Sequence, residues 1–288
     1  MTKLMDGKLV SSQIRAEISQ ETEEFIKEMG ITPHLVVIIV GNDPASMTYV
    51  KNKKKACEAV GFKSTVIELP VETTENHLIE LIQQLNEDNS VHGILVQLPL
   101  PKHINEEKII EMISVKKDVD GFHPYQVGCL VSGMDCLKPC TPSGVIELLK
   151  YYDIELKGRH AVIIGRSHIV GKPLIQLLLD ENATVTICHS QTKDLSQLTK
   201  SADILIVAIG KPNFIKADMV KDQVVVVDVG INRLETGRLV GDVAFDEVST
   251  KASYMTPVPG GVGPMTITML LRNTLKAAKD LQSSSLSI

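Results

Sequence analysis

The sequence contains no tryptophan, and aromatic residues make up only 3% of its 288 residues. Any core it builds must therefore be aliphatic. No apolar run approaches the roughly 18 residues that a membrane-spanning helix needs. The opening, MTKLMDGKLVSSQ, lacks the long apolar segment of a secretory leader, so a cytoplasmic location and no membrane partner are expected. An excess of positive charge is also missing. Thirty Lys and Arg stand against 35 Asp and Glu, a formal charge of −5, which argues against nucleic acid as a partner. The five cysteines, Cys57, Cys129, Cys136, Cys140 and Cys188, are odd in number and contain no C-x-x-C pair. They match neither a disulfide framework nor a metal-site spacing. The eight histidines are scattered without an H-E-x-x-H motif, so no metal is expected. No fixed-period repeat is present. The one low-complexity stretch is a serine-rich tail, Ser283–Ser287, expected to fray.

What is there is an ordinary globular mixture, 43% hydrophobic and 23% charged, long enough for two domains. HLVVIIVG (34–41), KSTVIELP (63–70) and GILVQLPL (93–100) read as strands, with helical periodicity over 46–60 and 74–88. HAVIIG, TVTICH (184–189), DILIVAIG (203–210) and QVVVVDVG (223–230) form a second series. Near-continuous Val/Ile runs indicate strands buried on both faces, as in parallel sheets. The alternation predicts an α/β protein. The Pro- and Gly-containing stretch LKPCTPSGV (137–145) marks the boundary between the two series.

HAVIIGRSHIVGKP, from His160, begins like a dinucleotide-binding strand and turn, yet reads G-x-S-x-x-x-G instead of G-x-G-x-x-G. Gly165 ends a buried strand, and Gly171 and Pro173 open a helix whose free amides attract phosphate. Ser167 stands in place of the middle glycine, with a hydroxyl of its own to donate. NAD-binding folds carry an acid about 20 residues further on, holding the ribose 2′-hydroxyl. Here His189 and Ser190 occupy that place. An acid would repel a 2′-phosphate, whereas Arg166, His189 and Ser190 suit one. The motif is tuned for NADP.

Three further stretches carry polar residues in apolar settings. In ASMTYVKNKKKACEAVG, Tyr49, Lys53, Ala56 and Val60 share one helical stripe. Lys53 therefore faces apolar neighbours, where desolvation lowers a lysine pKa. On spacing alone, a stem snorkelling along the surface accounts for it equally well. Gln97 interrupts an apolar strand and needs partners, either Lys53 or a substrate; a purely structural glutamine fits as well. In KKDVDGFHP, Asp118 and Asp120 precede a glycine turn, and one carboxylate could hold an amino-pyrimidine edge. TPVPGGVGPMT (256–266) is a rigid loop whose backbone can approach a ligand.

Together with PCTPSGV, CHSQT, DVGIN and GDV, these blocks resemble, in order and over nearly the whole chain, the bifunctional methylenetetrahydrofolate dehydrogenase/methenyltetrahydrofolate cyclohydrolase family. The resemblance implies an N-terminal three-layer α/β catalytic domain, 1–140, completed by a C-terminal helix, 264–288. It implies a Rossmann-type NADP-binding domain with a parallel sheet, 141–263, with both substrates in the cleft between domains. It makes Tyr49, Lys53, Gln97 and Asp120 catalytic, with Leu98, Pro99, Pro259, Gly260 and Gly261 joining them around the folate. Gly165, Arg166, Ser167, His189, Ser190 and Ile231 would bind NADP. The implied reactions are oxidation of 5,10-methylenetetrahydrofolate and hydrolysis of the methenyl product to 10-formyltetrahydrofolate, in a homodimer. A different NADP-linked dehydrogenase, or a non-catalytic nucleotide sensor, would share the glycine loop. Neither would need Tyr49, Lys53, Gln97 and Asp120 together.

Overall fold

The structure, a computed structural model, describes residues 2–285. In chain order these form β1 (Lys3–Leu4), α1 (Gly7–Met29), β2 (His34–Val40), α2 (Pro44–Ala59), β3 (Lys63–Leu69), α3 (Glu75–Glu87), β4 (Gly93–Val96), α4 (Glu106–Met112) and α5 (Pro124–Val131). There follow α6 (Cys140–Tyr151), β5 (His160–Ile164), α7 (Gly171–Asp180), β6 (Thr184–Cys188), α8 (Leu195–Ser201), β7 (Ile204–Val207) and β8 (Val225–Asp228). The last elements are β9 (Asn232–Arg233), β10 (Leu239–Val240), α9 (Phe245–Val248), β11 (Tyr254–Met255) and α10 (Val262–Ser285). The chain divides into two compact units. One joins residues up to Ser12 with Thr141–Thr266, the other Gln13–Cys140 with the chain from Ile267 onward.

The unit that holds Gln13–Cys140 has a parallel sheet of order β3-β2-β4. All seven residues of β2 are buried. Val36, Ile38 and Val40 pack against Leu78 and Ile82 of α3 and Ile109 of α4, while Leu35, Val37 and Ile39 are as deeply buried on the opposite face. Burying each such side chain is worth about 1.5–3 kcal/mol. Local signals start the helices. Pro44 opens α2, and the Asp43 carboxylate accepts from Ser46 N at 2.8 Å. Thr74 caps α3 by accepting from His77 N at 3.3 Å.

The other unit has a parallel sheet of order β1-β11-β8-β7-β5-β6. From β5 the chain goes outward to β6, then returns to the other side of β5 for β7. That reversal is a topological switch point, where α/β sheets bind ligands beyond the carboxyl ends of their strands.

Three features differ from the sequence expectation. The chain start belongs with the nucleotide-type sheet, because Lys3 and Leu4 pair with Tyr254 and Met255. So short an edge strand has no periodicity to read. The strand expected over 93–100 stops at Val96, so Gln97 follows the strand instead of interrupting it. The serine-rich tail begins inside α10, which runs to Ser285, and residues 286–287 lie outside those described.

Candidate active site

In the first-described unit, β2 is the switch strand, with β3 and β4 on either side. Side chains at its carboxyl end are supplied by α2, by the residues after β4, and by the loop at 118–121, which an isolated parallel bridge between Ile94 and Asp118 sets beside β4. Lys53 is 5% exposed, while Lys51, Lys54 and Lys55 point to solvent. Helical spacing sorts the four lysines, since only Lys53 shares the face of buried Ala56, Cys57 and Val60. Its Nζ donates to Gln97 Oε1 at 3.1 Å and sits 4.9 Å from the Tyr49 ring centroid. Gln97 is held on its other side, because its Nε2 donates to Leu98 O at 2.7 Å and its backbone N to Ile38 O at 2.8 Å. Pro99, the next residue, is exposed.

Burial lowers the Lys53 pKa, and the nearby Asp120 carboxylate pulls it back up. Burial in turn raises the Asp120 carboxyl, with Lys53 opposing. Each group's charge thus offsets part of the burial penalty on the other. The two aspartates of the loop have separate tasks. Asp118 is 1% exposed, and its carboxylate accepts from His123 N at 2.8 Å. Burial pushes its pKa up to about 7. It shapes the loop, and Asp120 is the carboxylate paired electrostatically with Lys53. Gly121 makes the turn at φ +72°, and a Cβ there would lie 2.5 Å from Leu137 O, so only glycine fits. Cys140, whose thiol donates to Val119 O at 3.3 Å and contacts Asp120, was given no role from sequence. Burial raises its pKa well above the usual thiol value, so it is a packing thiol, not a nucleophile.

The remaining predicted residues lie in the other unit. Pro259, Gly260 and Gly261 form a loop against the start of α1, where Lys8 N donates to Gly260 O at 3.2 Å. Gly165 follows β5 with φ +122°, and a Cβ on it would lie 2.2 Å from Ala208 O. A Cβ on Gly171 would lie 2.0 Å from Gly165 O. The two glycines thus pack against each other across the turn, which answers how an altered fingerprint still makes a tight one. Ser167 is exposed. Its Oγ accepts from Val170 N and Gly171 N at 3.2 and 3.4 Å, capping the start of α7. Arg166 and Ser190 are exposed. His189 accepts from Gln191 N at its Nδ1, 3.2 Å away, which leaves the ring proton on Nε2 as a donor. Ile231 is 52% exposed after β8.

Sequence reasoning missed two acids in this unit. Asp242, fully buried, accepts from Ile209, Gly210 and Lys211 N and from Asn232 Nδ2 at 2.7–3.0 Å. Asp228 accepts from Gly230, Asp242 and Val243 N at 2.9–3.0 Å, and burial pushes its pKa up to about 7. Together they fix the loops at the carboxyl ends of β7 and β8. The blocks DVGIN and GDV contain them, but nothing local shows that the two acids meet. No group of His, Cys, Asp and Glu among the described residues is arranged to hold a metal.

Comparison with known proteins agrees with this architecture. Residues 5–120 match the family model described as the tetrahydrofolate dehydrogenase/cyclohydrolase catalytic domain, and residues 139–282 the NAD(P)-binding domain of the same family. The bifunctional protein FolD of Campylobacter hominis is 59% identical over 278 residues, 96% of this chain and 98% of that protein. The crystal structure of FolD from Campylobacter jejuni superposes with a TM-score of 0.95 at 57% identity, covering 97% of this chain and 99% of that one. A Trypanosoma brucei FolD, solved with NADP cofactor and an inhibitor, gives 0.93 at 39% identity over 97% and 98% of the two chains. With both domain models matched in order and near-complete coverage by relatives, the chain belongs to the tetrahydrofolate dehydrogenase/cyclohydrolase family.

Proposed function

We propose that the chain oxidises 5,10-methylenetetrahydrofolate to the methenyl cation with NADP⁺ and then hydrolyses that cation to 10-formyltetrahydrofolate. The observation that carries this reading is the buried Lys53, bonded to Gln97 Oε1 and coupled to Asp120. Bound NADP⁺ supplies the hydride acceptor. The glycine turn at 165–171, where a Cβ on either glycine would strike backbone, fits the close approach of a pyrophosphate. Arg166, Ser190 and the Nε2–H of His189 fit a 2′-phosphate, and no acid stands immediately after β6 to repel it.

The first reaction requires alignment more than acid–base help. Asp120 accepts two hydrogen bonds from the amino-pyrimidine edge of the pterin and so sets its register. Tyr49 and Leu98 flank the substrate. In the second reaction water adds to the methenyl carbon and must lose a proton. Lys53 Nζ, whose burial favours the uncharged amine, takes that proton, and Gln97 aims the amine. Opening of the ring breaks the bond from the carbinol carbon to the departing folate nitrogen, which takes the proton back from Nζ. The carbinol hydroxyl gives its own proton to solvent as the formyl C=O forms, so one proton is released overall. The chain works as a homodimer, a reading supported by the family resemblance. A reducing cytoplasm suits its five cysteines, all unpaired. An assay of NADPH formation from methylenetetrahydrofolate, with methenyl hydrolysis followed by absorbance on the same protein, tests the proposal. Absence of either activity refutes it.

A further inference from the structure

Asn273 lies on α10, far in sequence from Tyr49, Lys53, Gln97 and Asp120, and no part of the mechanism above uses it. Its Nδ2 has two hydrogens, and both are spent on carbonyls. One goes to Val119 O at 2.8 Å, the other to Lys138 O at 2.8 Å. The same nitrogen lies 3.6 Å from Cys140 Sγ. Val119 is the residue immediately before Asp120, and Cys140 touches the Asp120 side chain. Two loops, 118–121 and 137–140, therefore meet at a single amide. They also meet at Gly121, where the absent Cβ would stand 2.5 Å from Leu137 O. Among the described residues no backbone N–H donates to Val119 O; the Cys140 thiol and Asn273 Nδ2 do. A thiol is a weak donor, so the carbonyl that fixes the peptide leading into Asp120 is held chiefly by Asn273.

We infer that Asn273 is a positioning residue that sets the Asp120 carboxylate for the pterin edge by clamping the Val119 and Lys138 carbonyls. The inference rests on the reading of Asp120 as the folate anchor. An amino-pyrimidine edge demands two parallel hydrogen bonds, so a small rotation of the carboxylate costs one of them. Both activities share that contact, and loss of the clamp weakens folate in both.

The test is a double-mutant cycle of Asn273→Ala with Asp120→Asn, read as folate KM for both activities and as NADP⁺ affinity. Asn273→Ala is expected to raise folate KM about tenfold, the equivalent of about one hydrogen bond to the substrate. NADP⁺ affinity stays within about twofold, and the two folate effects fail to multiply in the double variant, because each acts through the same carboxylate. Asn273→Ser, compatible with the helix but too short to reach both carbonyls, repeats the measurement if Asn273→Ala does not fold. A folate KM unchanged in the Asn273 variants, with Asp120→Asn still raising it, overturns the clamp alone. Effects that multiply independently also overturn it. If Asp120→Asn itself leaves folate KM unchanged, the anchor reading falls, and the clamp with it.

Discussion

Lys53 Nζ and Gln97 Oε1 meet at 3.1 Å across 44 positions of sequence, one supplied by a helix stripe and the other by the first residue beyond a buried strand. The amide cannot take a proton, so it orients the lysine without changing its charge. In the proposed mechanism that division leaves Lys53 to move protons and Gln97 to aim it.

Replacing Lys53 with Met keeps much of the stem volume and removes the amine. Methenyl hydrolysis is expected to fall about 10²-fold or more. NADPH formation from methylenetetrahydrofolate falls less, because hydride transfer needs no proton from Lys53. Both rates are measured on one preparation. Retained hydrolysis removes Lys53 from proton transfer, while equal losses in a folded variant make it a binding residue.

Arg166→Ala is expected to weaken NADP⁺ by about 1.5–3 kcal/mol, the range for a hydrogen bond to a charged group. NAD⁺, which lacks the extra phosphate, changes little. Titration of both cofactors against the variant decides it, and equal weakening of the two places Arg166 away from the 2′-phosphate.

The aspartates of the 118–121 loop separate by readout. Asp120→Asn raises folate KM and spares NADP⁺, since an amide accepts one bond where the pterin edge offers two. Asp118→Asn chiefly lowers thermal stability, because it unsettles the bond from His123 N; the expected cost is about 1–3 kcal/mol. Thermal midpoints beside folate kinetics check the pair. The opposite assignment, with folate KM responding to Asp118 alone, contradicts the geometry.

His34 and His92 form a buried pair in the same unit. His92 Nδ1 accepts from His34 N at 3.1 Å, and burial lowers both pKa values, with each ring's neighbouring charges as lesser causes. A depressed folded pKa means that the unfolded chain binds protons first. The pair's contribution is thus complete above the unfolded value of about 6.5 and lost as pH falls below it. His92→Asn offers Oδ1 to the same amide without titrating. Denaturant melts below about pH 6.5 should show a shallower loss of stability in the variant than in the parent; parallel slopes exclude the pair as the cause.

Much of this protein could be read from local chemistry. Val/Ile runs named the central strands β2, β4, β5, β7 and β8 of the two parallel sheets, because burial on both faces leaves no polar alternation to confuse them. The Asp120-Gly121 turn announced its own backbone geometry. Helical spacing singled out Lys53 from its neighbours. What spacing could not decide was which aspartate faces Lys53, since adjacent loop positions have no periodicity. Nor could it show that the Ser167 hydroxyl accepts two amides at the start of α7, that Lys3 and Leu4 pair with a strand at 254–255, or that Asp228 and Asp242 organise one set of loops. Asn273 gave no signal at all, being one polar residue on an amphipathic helix. These are contacts between residues far apart in the chain, and Asn273 reaches Val119 across 154 positions. The sequence determined which segments could form and bury themselves; only the folded packing decided which polar groups met, because unpaired buried donors and acceptors are costly enough to select their partners in three dimensions.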